Sequence, residues 1–321
     1  MWLGFPSHGD LWTDDLEPAQ QEVAALALAL AGPGQERVRL MVCGEAAMAA
    51  ARRLIAGAPG VELCDGRFGD IWLRDTGPIF LRDGEELCAA GFRFNGWGGK
   101  YVLEGDDTVA GQIAGAAGET LTAHDFVLEG GAMDHDGQGA VLTTRQCLLN
   151  PNRNAGWTEG SVELALRTAL GARKVLWLDD GLIGDHTDGH VDNLARFVAP
   201  GVVACPVAFG ANDPNAEVYD AAALALSRMT DARGAPLQIS RIASPGLVED
   251  EDGAPMAASH MNFLIANGAV IAPVYGDETA SALVLDALKS LFPEREVVGL
   301  SSRALLTGGG SFHCITQQEP A

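Results

Sequence analysis

Near the end of the 321 residues, three consecutive glycines lead into a cysteine: Gly308-Gly309-Gly310-Ser311-Phe312-His313-Cys314. Glycine adds nothing to a packed core and loses the most entropy on folding, so a triplet belongs where the backbone turns tightly or is closely approached. The Cys314 thiol is thus displayed beyond a special turn, at the head of an alternation that reads as a strand. It is a candidate nucleophile, given a base and something that favours a thiolate. Gly189-His190-Val191-Asp192 offers the base. On a strand, His190 and Asp192 would point the same way. On a helix, His186 and His190 would instead share a face as metal ligands. Gly189, Thr187 and the lack of a further nearby His or Cys weigh against that, and no metal is expected.

More carboxylates follow the same pattern. Asp75 lies in Arg74-Asp75-Thr76-Gly77-Pro78, just after Trp72, and Glu129 precedes Gly130-Gly131. The aromatic, glycine-rich stretch 92–101, which includes Arg93, suits a lid or a pocket wall. Each feature alone has a bland reading: a structural histidine, a loop ion pair, a surface loop. Together they are a thiol, an imidazole and three carboxylates. A cysteine hydrolase needs one carboxylate to orient its base, and further ones beside a thiolate are costly unless a cation offsets them. A planar guanidinium is such a cation, with N–H donors in a fork that carboxylates match. The site composition points to a guanidine attacked by sulfur.

The elements that must carry these residues repeat. After a leading strand at 2–6, helix at 14–31 and strand at 37–43, a cycle of helix, strand, polar motif and apolar strand pair recurs. Its helices are expected near 45–57, 106–116, 158–170, 216–228 and 278–292, and its strands near 61–64, 120–124, 174–178, 237–242 and 296–300. The motifs centre on residues 75, 129, 190, 262 and 314, at gaps of 54, 61, 72 and 52. Asn267-Gly268 marks a hairpin turn in the fourth. Five units at this period suggest radial repetition, with every motif at one axis. The fifth has one strand after its motif, and residues 2–6 can supply the missing one and close the ring. The pair at 14–43 has no place in the cycle. The plainer alternative is an open α/β sheet. No Pro/Gly/Ser-rich linker divides residues 1–321, so a single domain is expected.

A net charge of −22 argues against nucleic acid and anionic membrane surfaces as partners. It would attract cationic substrates. No apolar run reaches membrane-spanning length, and the N-terminus shows no signal peptide. Six scattered cysteines without CxxC pairs suggest reduced thiols and a cytoplasmic location.

The ordered set WLRDTGP, LEGG, TDGHVDN, NFLIANG and GGGSFHCITQQ resembles the agmatine deiminase and bacterial peptidylarginine deiminase family, along nearly the whole chain. The resemblance implies a five-bladed pentein α/β propeller and cofactor-free, metal-free hydrolysis of a guanidine to a urea and ammonia. By motif, Cys314 would be the nucleophile and His190 the general acid/base. Asp75 and Asp192 would hold the guanidinium, Glu129 would orient His190, and Asn262 would lie near the site. Trp72 and Arg93 are further candidates for substrate contact. Such relatives usually carry a short segment before the stretch matching Trp2 to Pro6, so contacts made by that segment, including those of a homodimer, are not carried over. The substrate expected is agmatine, a small dication without a carboxylate. Peptidylarginine, free arginine, other reactions on guanidines and a silent guanidine-binding protein are the alternatives.

Overall fold

The computed structural model describes residues 1–84 and 86–320. Strands β1 (Trp2–Gly4), β2 (Val38–Val42) and β3 (Val61–Asp65) run parallel in one sheet. Four further sheets of three strands follow in chain order. They are β4 (Ile79–Asp83), β5 (Glu86–Arg93) and β6 (Leu121–Val127); then β7 (Met133–His135), β8 (Ala140–Thr144) and β9 (Lys174–Leu178). Next come β10 (Arg196–Ala199), β11 (Val202–Val207) and β12 (Gln238–Ala243), and finally β13 (Leu264–Ile265), β14 (Ala269–Val274) and β15 (Glu296–Ser301). In each of the four an antiparallel hairpin is followed by a helix and a strand parallel to the second hairpin strand. A parallel pairing needs such a crossover.

Strand β16 (Thr316–Gln317) then pairs antiparallel with β1, Leu3 opposite Thr316, and completes the ring of five. The expected α/β propeller, closed by residues 2–6, is the fold observed. Its phase differs from the sequence reading. The helix and strand that precede each motif belong to the sheet of the hairpin before, because the crossover strand returns to its own hairpin. The unplaced pair is therefore regular: the helix Leu16–Ala31 and β2 complete the blade begun by β16 and β1. The helix Glu45–Ile55 and β3, read as part of the first cycle, extend that blade, β3 adding a fourth strand beside β2.

Composition and caps explain these elements. The central strands β8 (AVLTT) and β14 (AVIAPV) are almost wholly buried, as near-continuous apolar runs should be when helices and neighbouring blades cover both faces. The helix Glu278–Leu291 starts on Asp277, which accepts the Ala280 N–H at 2.8 Å. The helix Glu159–Leu170 is capped by Thr158 and stops at Gly171, whose φ of 69° ends it in the left-handed region. No described helix is long and apolar enough to cross a membrane.

Candidate active site

The loops between blades converge on Cys314, which is buried at 8% exposure. Its segment is a turn that starts the strand only at Thr316, so the expected strand is shorter than read. The glycines serve both purposes anticipated for them. Gly309 has φ of 101°, and a Cβ on Gly308 or Gly310 would sit 2.6 Å from the Trp12 ring or 2.5 Å from the Trp72 ring. The turn is pinned by Asn262 Oδ1, which accepts from His313 N at 3.0 Å and Cys314 N at 3.2 Å and lies 3.2 Å from Cys314 Sγ. Arg74 backs it, its N–H on the Cys314 carbonyl and its guanidinium on the His313 carbonyl and Gln317. That guanidinium does not pair with Asp75 and leaves its neighbour's carboxylate for other partners.

His190 and Asp192 are brought to the site by a tight turn rather than a strand. Asp188 and Gly189 take φ of 63° and 83°, and Val191–Asn193 is one turn of 3-10 helix. Asp192 is fully buried. One oxygen accepts from His313 Nδ1 at 2.7 Å and lies 3.7 Å from Cys314 Sγ; the other has no partner. Such an orphan is costly in a buried site, and a guanidinium N–H would satisfy it. Asp75 is held by Gly131 N–H at 2.8 Å and Trp97 Nε1 at 2.9 Å, with His190 Nδ1 3.8 Å away. Gly131 is obligatory, because a Cβ there would lie 2.5 Å from the His190 ring. Gly131→Ala should cut kcat at least about tenfold through a displaced His190, checked by steady-state kinetics alongside a thermal melt.

Glu129 is wholly buried, paired with Arg153 at 2.6 Å, and its second oxygen is unpartnered. A Glu129 oxygen, the Cys147 sulfur and a His190 ring nitrogen lie within 4.8 Å of one another. Among the described residues this is the one trio with metal-ligating geometry, and Arg153 already supplies positive charge to it. His186 is not part of it. It sits at the cavity mouth, stacked on Tyr101, and the segment joining it to His190 is not a helix.

Electrostatics follow from burial. Desolvation, reinforced by Asp192 and Asp75, raises the Cys314 pKa well above the ordinary thiol value, so the empty site holds a thiol. Burial disfavours charge on His190, but Asp75, Cys147 and Glu129 outweigh it and raise its pKa well above 6.5. Burial brings Asp192 up to about 7, with His190 opposing and Asp75 adding to the rise. His313 is pushed well below 6.5 by burial and by Arg196 and Arg74, which keeps it a neutral donor to Asp192.

Above Cys314 opens a cavity of about 320 Å³, walled by Trp12, Trp72, Trp97 and Leu103 among others, with Asp15 at its edge. No lysine or arginine lines it among the described residues. Arg93, expected as a substrate contact, is not there. It ends β5 with an outward side chain, two-thirds exposed and 3.4 Å from Asp125. The 92–101 loop does cover the site, through Trp97 rather than Arg93. His313 and Arg153 were missed from sequence, as were the wall residues Leu11, Trp12, Thr13 and Asp15, while Trp97 lies inside the stretch read as a lid or pocket wall without having been singled out. Of those missed, only His313 carried a signal, its adjacency to Cys314.

Comparisons with known proteins identify the family. Residues 1–320 match the Porphyromonas-type peptidyl-arginine deiminase family. The chain belongs to this family. It is similar to the agmatine deiminase of Stutzerimonas stutzeri (strain A1501), 38% identical over all of this chain and 92% of that one. The structure described as agmatine deiminase of Enterococcus faecalis catalyzing its reaction superposes with TM-score 0.92 at 35% identity, over 99% of this chain and 92% of that one. A Cys-to-Ser variant of C. jejuni agmatine deiminase, solved with substrate bound, gives TM-score 0.88 at 28% identity, over 98% and 91%. These relatives are guanidine-modifying hydrolases with the same five-bladed fold.

Proposed function

We propose that this chain hydrolyses agmatine to N-carbamoylputrescine and ammonia through a covalent bond to Cys314. The observation that carries the reading is the pair of buried carboxylates, Asp75 in the cavity lining and Asp192 at 3.7 Å from the buried thiol, at a cavity that no lysine or arginine lines among the described residues. A guanidinium between them adds positive charge and lowers the Cys314 pKa, so the thiol releases its proton to solvent and the thiolate forms when substrate arrives. The sulfur attacks the guanidinium carbon. His190, charged at rest, donates its proton to the departing nitrogen, which leaves as ammonia. Neutral His190 then takes a proton from water. The hydroxide attacks the thiouronium carbon, the C–S bond breaks, and the ureido product forms.

The walls Trp72, Trp97 and Leu103 suit an aliphatic chain, and Asp15 offers a carboxylate for a distal ammonium. Free arginine would bring a carboxylate to a lining that has no cation for it. Trp97, buried and donating to Asp75, leaves little room for a polypeptide. The test compares kcat/KM for agmatine, arginine and an arginine-containing peptide, scoring ammonia and ureido product. Preference for arginine or the peptide would overturn the substrate and keep the chemistry; no ureido product from any would leave a guanidine-binding protein.

A pH dependence follows from Asp192. Its raised pKa means the folded empty site holds a proton that the unfolded chain releases, so this group favours folding less as pH rises from about 4 through about 7. A bound guanidinium selects the ionised form. In a Cys314→Ser variant that cannot turn over, the rise in Tm on adding agmatine should grow between pH 5.5 and 8. A Tm rise that is flat or shrinks across that range would contradict this role for Asp192.

A further inference from the structure

The catalytic reading gives Arg153 no part, yet it holds groups that border His190. Its side chain is completely buried and every donor group is used. Nε donates to Glu129 Oε1 at 2.6 Å, one terminal nitrogen to Asp188 Oδ2 at 2.6 Å and Asn152 Oδ1 at 2.9 Å, and the other to the Thr187 carbonyl at 2.8 Å. Two of these partners, Thr187 and Asp188, lie in the turn that carries His190. A third, Glu129, stands beside the His190 ring. One rigid fork therefore fixes both the backbone of the base and the carboxylate next to it, a task a point charge cannot perform.

The outer side of the same hub belongs to the loop over the cavity. Lys100 Nζ reaches Asp188 Oδ1 at 2.5 Å and the His186 carbonyl at 2.7 Å. Asn95 Nδ2 donates to the Asn152 carbonyl at 2.9 Å. The loop backbone packs so closely that a Cβ on Gly98 would lie 2.9 Å from an Arg153 terminal nitrogen. Asp188 holds these contacts at φ of 63°, a strained conformation for a residue with a side chain, and such strain persists only where surrounding contacts over-determine it. The loop, Asp188, Arg153 and Glu129 form one hydrogen-bonded chain, which ends within 4.8 Å of a His190 ring nitrogen without a hydrogen bond to it.

We propose that Arg153 is a positioning residue that couples the seating of the 94–101 loop to the placement of Glu129 and His190. The inference rests on His190 being the acid/base of the proposed reaction. Seating the loop by way of Trp97 covers the reacting groups, and through Lys100 and Asp188 it sets the group that must deliver a proton. Chemistry is then confined to the covered state, where water competes least with the bound guanidine.

The test uses agmatine kinetics on the full chain, with circular dichroism and Tm as folding controls. Lys100→Met alters the exposed end of the chain and contacts no catalytic group. It should lower kcat about five- to tenfold with KM changed less than twofold. Arg153→Met should lower kcat at least a hundredfold, and Arg153→Lys, which keeps charge but not the fork, should fall between that variant and the parent. If Lys100→Met raises KM alone, the loop is a substrate clamp and the coupling is wrong; wild-type kinetics in Lys100→Met overturn it equally. Should Arg153→Met not fold, Asp188→Asn, with Lys100→Met, decides by the same split. His190→Gln separates the two levels: its retained activity sinks the acid/base reading itself, whereas an inactive His190→Gln beside a fully active Arg153→Lys and Lys100→Met sinks only the coupling.

Discussion

Cys314→Ala should abolish deimination, by at least about 10⁴-fold in kcat, while agmatine still binds. Removing the nucleophile takes away the covalent route altogether, and little of the remaining site can replace it. Binding should survive because the guanidinium partners, Asp75 and Asp192, are held by other groups: Gly131 and Trp97 for one, His313 for the other. Burial and the nearby Asp192 and Asp75 keep the thiol neutral before substrate arrives, so its loss leaves no charged orphan. Two measurements check this. Calorimetry should give agmatine affinity within about tenfold of KM, and a haloacetamidine, a guanidinium mimic bearing a leaving group, should label Cys314 in the parent protein and nothing in the variant. Cys147 and Cys205 are fully buried with pKa values raised by burial, and should stay inert. Labelling of Cys43 or Cys205 ahead of Cys314 would sink the assignment.

Asp192→Asn should reduce kcat/KM by about 10- to 200-fold, since a charge-assisted hydrogen bond to a buried cation is worth roughly 1.5–3 kcal/mol. The substitution keeps shape but not charge, and it acts at two places. The orphaned oxygen no longer offers a full negative charge to the guanidinium. The Asn side chain must also choose which end to turn toward the His313 Nδ1 proton, and only its oxygen can accept it. Fold stability should not fall, because a buried carboxylate at 0% exposure is replaced by a neutral amide. Relief of repulsion should bring the Cys314 pKa down from its raised position, so thiol alkylation in the absence of substrate should become faster at a given pH. Near-normal kinetics in this variant would remove Asp192 from substrate binding. Asp75→Asn should lower activity for a related reason: it removes a negative charge facing the guanidinium and beside His190, although both Asp75 oxygens already accept from Gly131 and Trp97.

Much of this was legible because the repeating blade leaves the same trace five times. The polar motifs stand at the same point of each cycle, and the residues nominated from them, Cys314, His190, Asp192, Asp75, Glu129, Asn262 and Trp72, meet at one place. The errors arose where pairing is non-local. Nothing within residues 121–127 says that they return to β5, so each helix and its crossover strand were given to the following blade, two elements out of phase. Period-two reasoning failed at Val191–Asn193, which is a turn of 3-10 helix, so His190 and Asp192 do not share a strand face. Arg93 was nominated for its place beside an aromatic stretch, but strand alternation aims it at solvent. Arg153 could not be nominated, since its partners lie 24 and 35 positions away and no local pattern marks them.

The ring closes between the third residue and one more than three hundred positions later, Leu3 against Thr316. This pairing has consequences for how the molecule is made. A ribosome synthesises β1 some three hundred residues before its antiparallel neighbour, which emerges only after the nucleophile itself. Until then β1 carries one unpaired edge, and the loop to be closed spans nearly the whole chain, which is the slowest kind of contact to form. The reactive turn at Cys314 is framed by that last pairing on one side and by Asn262 on the other, so no partly synthesised chain can assemble a working thiol. Appearance of activity is then a timer for completed synthesis, and an early chain fragment is chemically silent however many blades it has already folded.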